Sequence, residues 1–158
     1  AYAQFINAID VFTFSAITMV AYPKLVKTFT NPLKYNVIKR RFSKELIFLS
    51  LALILIVSIG APFIFKFLDK KMIEDEINTF YILLGGVFLQ ITSNIFHYDL
   101  YVKKKDSIIL CVAIIGMVVN VGLNLILIPK YNIFGAAIAT LISFFMIFLL
   151  KFYFSTRK

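Results

Sequence analysis

Residues 107–150 read SIILCVAIIGMVVNVGLNLILIPKYNIFGAAIATLISFFMIFLL, and between Asp106 and Lys151 the one ionised side chain is Lys130. Lys130 divides the stretch into two uncharged runs, Ser107 to Pro129 and Tyr131 to Leu150. A helix that crosses roughly 30 Å of hydrocarbon needs about 20 mostly apolar residues, and each run supplies them. Helix is the state such runs must take, because the bilayer core offers no water to backbone amides. The runs are about twice the length of a barrel strand and lack its apolar–polar alternation. Pro129 closes the first run, and a tight Pro129–Asn132 turn is expected to fold the two helices against each other.

Two further uncharged runs lie upstream, Leu46 to Phe65 and Ile77 to Tyr98, the latter with His97 as its only group titrating near neutrality. Tyr2 to Tyr22 has the right length and apolarity but carries Asp10. Five spans are therefore expected, over about 2–22, 46–65, 77–98, 107–129 and 131–150, in an all-α polytopic membrane protein. Composition agrees: the 158 residues are 61% hydrophobic and 16% charged, whereas a soluble domain is roughly half apolar and about a quarter charged. So small a chain has too much surface to hide that much Leu, Ile and Phe in one core. Pro23 and Pro32 mark the loop after the first span, and Gly60 with Pro62 predicts a kink in the second. The single cysteine, Cys111, reads as buried packing and excludes an internal disulfide. The opening AYAQFINAID has neither a Met nor a basic n-region. It does not read as a signal peptide, and it looks like the start of a piece of something longer.

Seventeen Lys+Arg against eight Asp+Glu give a net charge of +9. These charges fall between apolar runs rather than on one polar face, which argues against a nucleic-acid partner. Lys24, Lys27, Lys34, Lys39, Arg40, Arg41 and Lys44 lie between the first two spans, and Lys103, Lys104 and Lys105 between the third and fourth. With Lys151, Arg157 and Lys158 of the tail they put thirteen positive charges on one side and leave four on the other. The positive-inside rule places the thirteen in the cytoplasm. A multi-pass protein of the cytoplasmic (inner) membrane with a cytoplasmic C-terminus follows. The basic segment is a topology signal, and it can also hold an anionic lipid headgroup or pyrophosphate.

Polar groups within spans are costly and usually face protein or a cavity. Gln4, Asn7, Asp10 and Thr18 fall within roughly a third of the first helix's circumference. Asp10 must be protonated, paired or in contact with water. The third span carries Gln90, Asn94 and His97, and the fourth Gly116, Asn120 and Asn124 at strict i, i+4 spacing. Either these stripes are interhelical polar contacts or they line a substrate pathway. His97 suits an interfacial position beside Tyr98 and Asp99 better than a proton relay. Gly135, Ala139 and Ser143 form a small face suited to close packing on the fourth span. No Lys or Arg lies within a span as bounded here. No HExxH, GxGxxG, Walker or GxSxG motif and no His/Cys cluster occurs, so neither an enzyme nor a metal site is expected.

The stretch NVGLNLILIPKYNIFGAAIATLIS, Asn120–Ser143, resembles the penultimate-helix, Pro-turn and last-helix signature of polysaccharide repeat-unit flippases in the MATE-like (MOP) exporter superfamily. Asn120, Asn124, Ile128, Pro129, Tyr131, Gly135, Ala136, Ala137, Ala139 and Thr140 match it, and Asn132 replaces the usual turn glycine. Tyr22-Pro23-Lys24-Leu25 and Gly60-Ala61-Pro62 are weaker echoes in the same order. The resemblance implies the second six-helix lobe of such a transporter without its first helix, with the first lobe as its missing partner. It implies movement of undecaprenyl-pyrophosphate-linked oligosaccharide to the outer leaflet for O-antigen, capsule or exopolysaccharide synthesis. It also implies no cofactor, plausible coupling to H⁺ or Na⁺, and no transport by this chain alone. Gln4, Asn7, Asp10, Asn120 and Asn124 would meet sugar hydroxyls, while cations for the pyrophosphate would come from the missing lobe or the rim, such as Lys24, Lys27 and Lys103. A cation-coupled antiporter of the same fold and a non-transporting membrane scaffold are the alternatives.

Overall fold

The structure, a computed structural model of the chain, describes residues 11–12, 19–67 and 77–157. Their regular structure is entirely α-helical: α1 Met19–Thr28, α2 Pro32–Phe67, α3 Ile77–Val102 and α4 Asp106–Thr156. Three helices are long and apolar enough to cross a membrane, over Pro32–Phe63, Ile77–Val102 and Asp106–Thr156. The expected first span, 2–22, falls mostly outside the described residues. The other four expected spans fall on α2, α3 and the two parts of α4.

The basic stretch after the first expected span is helix rather than loop. Pro23 lies inside α1, which continues to Thr28. After a three-residue turn α2 begins, with Asn31 Oδ1 accepting the Lys34 amide at 3.2 Å and Pro32 in the first helical position. That position needs no N–H, and Pro presets its φ. The helix continues through Pro62 without a break. Pro62 has no amide to offer the Ser58 carbonyl, and the Tyr81 hydroxyl of α3 donates to that carbonyl at 3.4 Å.

At 51 residues, α4 would be about 76 Å long if straight. It is instead broken at Asn132, whose backbone (φ 50°, ψ −131°) is not helical. The parts 106–131 and 133–156 fold back as a hairpin. A Cβ on Gly116 would lie 2.5 Å from Ile147 Cδ1, and one on Gly135 would strike the Leu127 carbonyl. At the open end Lys105 Nζ donates to the Arg157 carbonyl at 3.2 Å. All three pairs are centred on Tyr131–Asn132.

The remaining packing follows two registers. The 133–156 helix runs parallel to α3, with Phe96 stacked edge-on to Phe148 and Phe152 at 5.6 and 5.2 Å. A Cβ on Gly86 would lie 3.3 Å from Phe144 and 3.6 Å from Leu141. α2 runs antiparallel to α3, placing Ser58 by Tyr81 at one end and Lys39 by Asp99 at the other. The core between α1, α2 and α3 includes Leu25, Phe42, Leu46, Phe80, Val87 and Ile91. The outward faces are apolar too: Phe48, Leu55, Ile59 and Phe63 on α2, and Leu110, Met117, Val121 and Leu125 on α4, are exposed. So large an apolar surface suits hydrocarbon as solvent, not water. Cys111 lies on this exposed side of α4, not in the packing expected of it.

Candidate functional site

The α3–α4 connection is a tight one. Lys105 N bonds the Leu100 carbonyl at 3.0 Å and Lys104 N the Tyr101 carbonyl at 2.9 Å, with Lys104 at φ 54°. This crossed pair is the Schellman ending. It ends α3 so that Asp99 and Lys103, one turn apart, share a face.

Asp99 is buried, and three helices converge on it. Tyr35 Oη and Lys39 Nζ of α2 donate to Oδ1 at 2.6 and 2.7 Å. Ser155 Oγ of α4 donates to Oδ2 at 2.6 Å, and Lys103 Nζ lies 2.7 Å from the same oxygen. Lys103 also donates to the Ser155 carbonyl at 2.8 Å. A buried carboxylate is tolerated only when paired and hydrogen-bonded, and this one has two ammonium and two hydroxyl partners. Aromatic rings of α1, α2 and α3 meet one another near this end of α3: Tyr22 lies 5.5 Å from both Tyr98 and Tyr101, and Phe42 lies 6.1 Å from Tyr98. Chemically the cluster is a clamp that ties α2, α3 and the end of α4 together.

The sequence-derived candidates distribute as follows. Gln4, Asn7 and Asp10 lie outside the described residues. Lys39 and Lys103 are bound to Asp99 rather than free at the rim. Arg41 pairs with Glu45 at 2.7 Å on the exposed side of α2. With Lys24 these two residues line a cavity of about 400 Å³ between α1 and α2. Lys27, Arg40 and Lys44 are exposed. Asn124 donates to Asn120 Oδ1 at 2.9 Å while its own Oδ1 is buried without a partner. Gln90 Oε1 and His97 Nδ1 on α3 are likewise enclosed and unpartnered, and Asn94 is half-buried. Gly135 meets the Leu127 backbone, and Ala139 is buried. Pro129, beside the break, is exposed. Among the described residues no three His, Cys, Asp or Glu side chains gather as metal ligands.

Three residues are missing from that set of candidates: Asp99, Ser155 and Lys151. Lys151 corrects the expectation that no cation enters a span. It is 7% exposed and reaches Ser93 Oγ, which lies well inside the run 77–98. The apolar sequence continues past each charge, through Leu100–Val102 after Asp99 and Phe152–Phe154 after Lys151, and that continuation is the signal for both.

Fold and cluster together define an all-helical protein with helices of membrane-spanning length. Comparison with protein-family models, curated proteins and solved structures yields no match to this chain.

Proposed function

We propose that the chain is part of a transporter that flips undecaprenyl-pyrophosphate-linked oligosaccharide repeat units across the cytoplasmic membrane. The signature in Asn120–Ser143 suggests the reading. One structural observation supports it: Gln90 Oε1, His97 Nδ1 and Asn124 Oδ1 are buried and unpartnered within otherwise apolar helices. Each unmet polar atom costs about 1–3 kcal/mol, and in a helix of this kind such groups mark a pathway or a missing partner. A lipid-linked oligosaccharide offers hydroxyls to meet them, and a first lobe would close the remaining side.

The test is genetic and chemical. Deleting the full-length gene should accumulate lipid-linked repeat units in the cytoplasmic leaflet and remove the surface glycan. Restoring the gene should reverse both, while a gene encoding residues 1–158 alone should not. An unchanged lipid-linked pool in the deletion strain would overturn the proposal.

A further inference from the structure

Lys151 extends from α4 into the bundle, and its ammonium makes one hydrogen bond, 3.4 Å long, to Ser93 Oγ. That hydroxyl already donates to the Gln90 carbonyl at 2.7 Å, so it meets Lys151 as an acceptor. An ammonium carries three donors. Among the described residues the other two have no acceptor, and the carboxylate nearby in the fold, Asp99, is filled by Lys39 and Lys103. Among the described residues Lys151 is therefore a buried cation without a counter-ion.

The surroundings point to what it lacks. Gln90, Ser93 and His97 lie within about 60° of one another around α3, and Lys151 reaches Ser93, which lies between the other two along that helix. Gln90 Oε1 and His97 Nδ1 are the unpartnered atoms on that stripe. Hydrocarbon satisfies none of these groups, and a cation would be repelled by the ammonium. An anion suits all three. Lys151 has two N–H bonds to give, His97 can carry its proton on Nδ1, and a half-turn of the Gln90 amide presents Nε2 instead of Oε1. Lys151 is one helical turn, about 6 Å, inside Ser155 and the Asp99 clamp.

We infer that Lys151, His97 and Gln90 form a binding site for a phosphate-class anion. Its assignment to the pyrophosphate of a lipid-linked substrate rests on the proposed function, whereas the site itself does not. Binding is measured on the full-length protein in phosphatidylcholine nanodiscs, with geranyl pyrophosphate as probe and neutral geraniol as control. Wild type should bind the pyrophosphate and not the alcohol. Lys151→Met should weaken binding about tenfold or more, the worth of one charge-assisted hydrogen bond. Lys151→Arg should stay within about threefold of wild type, and Lys104→Met, an exposed lysine beside the same loop, should change nothing. If Lys151→Met does not fold, His97→Phe carries the test, with about a tenfold loss expected.

The source of the anion is read from two further arms. Equal, Lys151-dependent binding of inorganic pyrophosphate assigns the site to a free anion. Loss of probe binding in phosphatidylglycerol nanodiscs assigns it to a membrane phospholipid. Either result keeps the site and counts against the flippase reading. Undiminished binding by the Lys151→Met and His97→Phe proteins, or no phosphate-class binding by wild type, would sink the inference. Flipping by full-length protein with either result would leave the proposed function standing.

Discussion

A carboxylate taken out of water is costly unless donors surround it, and Asp99 draws four from three segments of the chain. Removing its charge leaves two cations and two hydroxyls aimed at one point. The cations have an escape, because the Lys39 and Lys103 side chains are 29% and 30% exposed and can turn towards water. Asp99→Asn should therefore lose about 3 kcal/mol, the low end for breaking a buried pair. Lys39→Met or Lys103→Met, each leaving the other ammonium in place, should lose about 1 kcal/mol. Unfolding curves in mixed micelles with increasing SDS give the order, and a wild-type curve for Asp99→Asn would refute the clamp. Asp99 and Lys151 are the residues least legible in the sequence, for one physical reason. A charge at the edge of an apolar run reads as the point where hydrocarbon ends. Only the packed helices show that Asp99 is neutralised by Lys39, sixty positions away.

The hairpin of α4 was open to sequence reading because its chemistry is local. A proline, a residue that tolerates positive φ and a small-residue face stand within a few positions of one another. What the spacing of those residues does not reveal is how close the backbones come. A Cβ on Gly135 would strike the Leu127 carbonyl carbon and oxygen, whereas a Cβ on Gly122 meets nothing within 4 Å. Gly135→Ala should accordingly cost about 2 kcal/mol or more, since backbone cannot move aside as a side chain can. Gly122→Ala should be neutral or slightly stabilising, as alanine is the better helix former. Equal effects of the two substitutions would show that the halves do not pack as described. Asn132 adds a second element-scale expectation. Its φ of 50° with ψ of −131° lies where a hairpin turn prefers glycine at its first central position, and a non-glycine residue there is strained by about 1–3 kcal/mol. Asn132→Gly should raise stability by about 1 kcal/mol, and no gain in the same unfolding assay would argue against that backbone. The 32–45 segment was less legible. The seven basic residues of 24–44 mask a helix start that Asn31 and Pro32 nonetheless signal.

The clamp, the hairpin and the aromatic residues together predict how the molecule sits in a bilayer. Lys39, Lys103 and Ser155 come from three segments and meet at Asp99, so the start of α2, the α3–α4 turn and the end of α4 share one side. Tyr22, Tyr98 and Tyr101 cluster at that level, while Tyr81 and Tyr131 mark the opposite end. Tyrosines favour the two membrane–water interfaces. From Tyr81 to Asp99 is eighteen residues of helix, about 27 Å, which matches a hydrocarbon core of roughly 30 Å. The shared side carries most of the positive charge, and the positive-inside rule predicts that it faces the cytoplasm. The prediction is a labelling pattern. In a Cys111→Ser background, single cysteines at Arg40, Lys104 and Arg157 should react with a membrane-impermeant maleimide in inverted vesicles and not in intact cells. A cysteine at Lys130, on the hairpin tip, should react in intact cells. If Lys104 and Lys130 label from the same side, the 106–131 helix does not cross the membrane. If all four sites give the reverse pattern, the bundle stands but its orientation is inverted, and the basic segments must then owe their charge to binding rather than to topology.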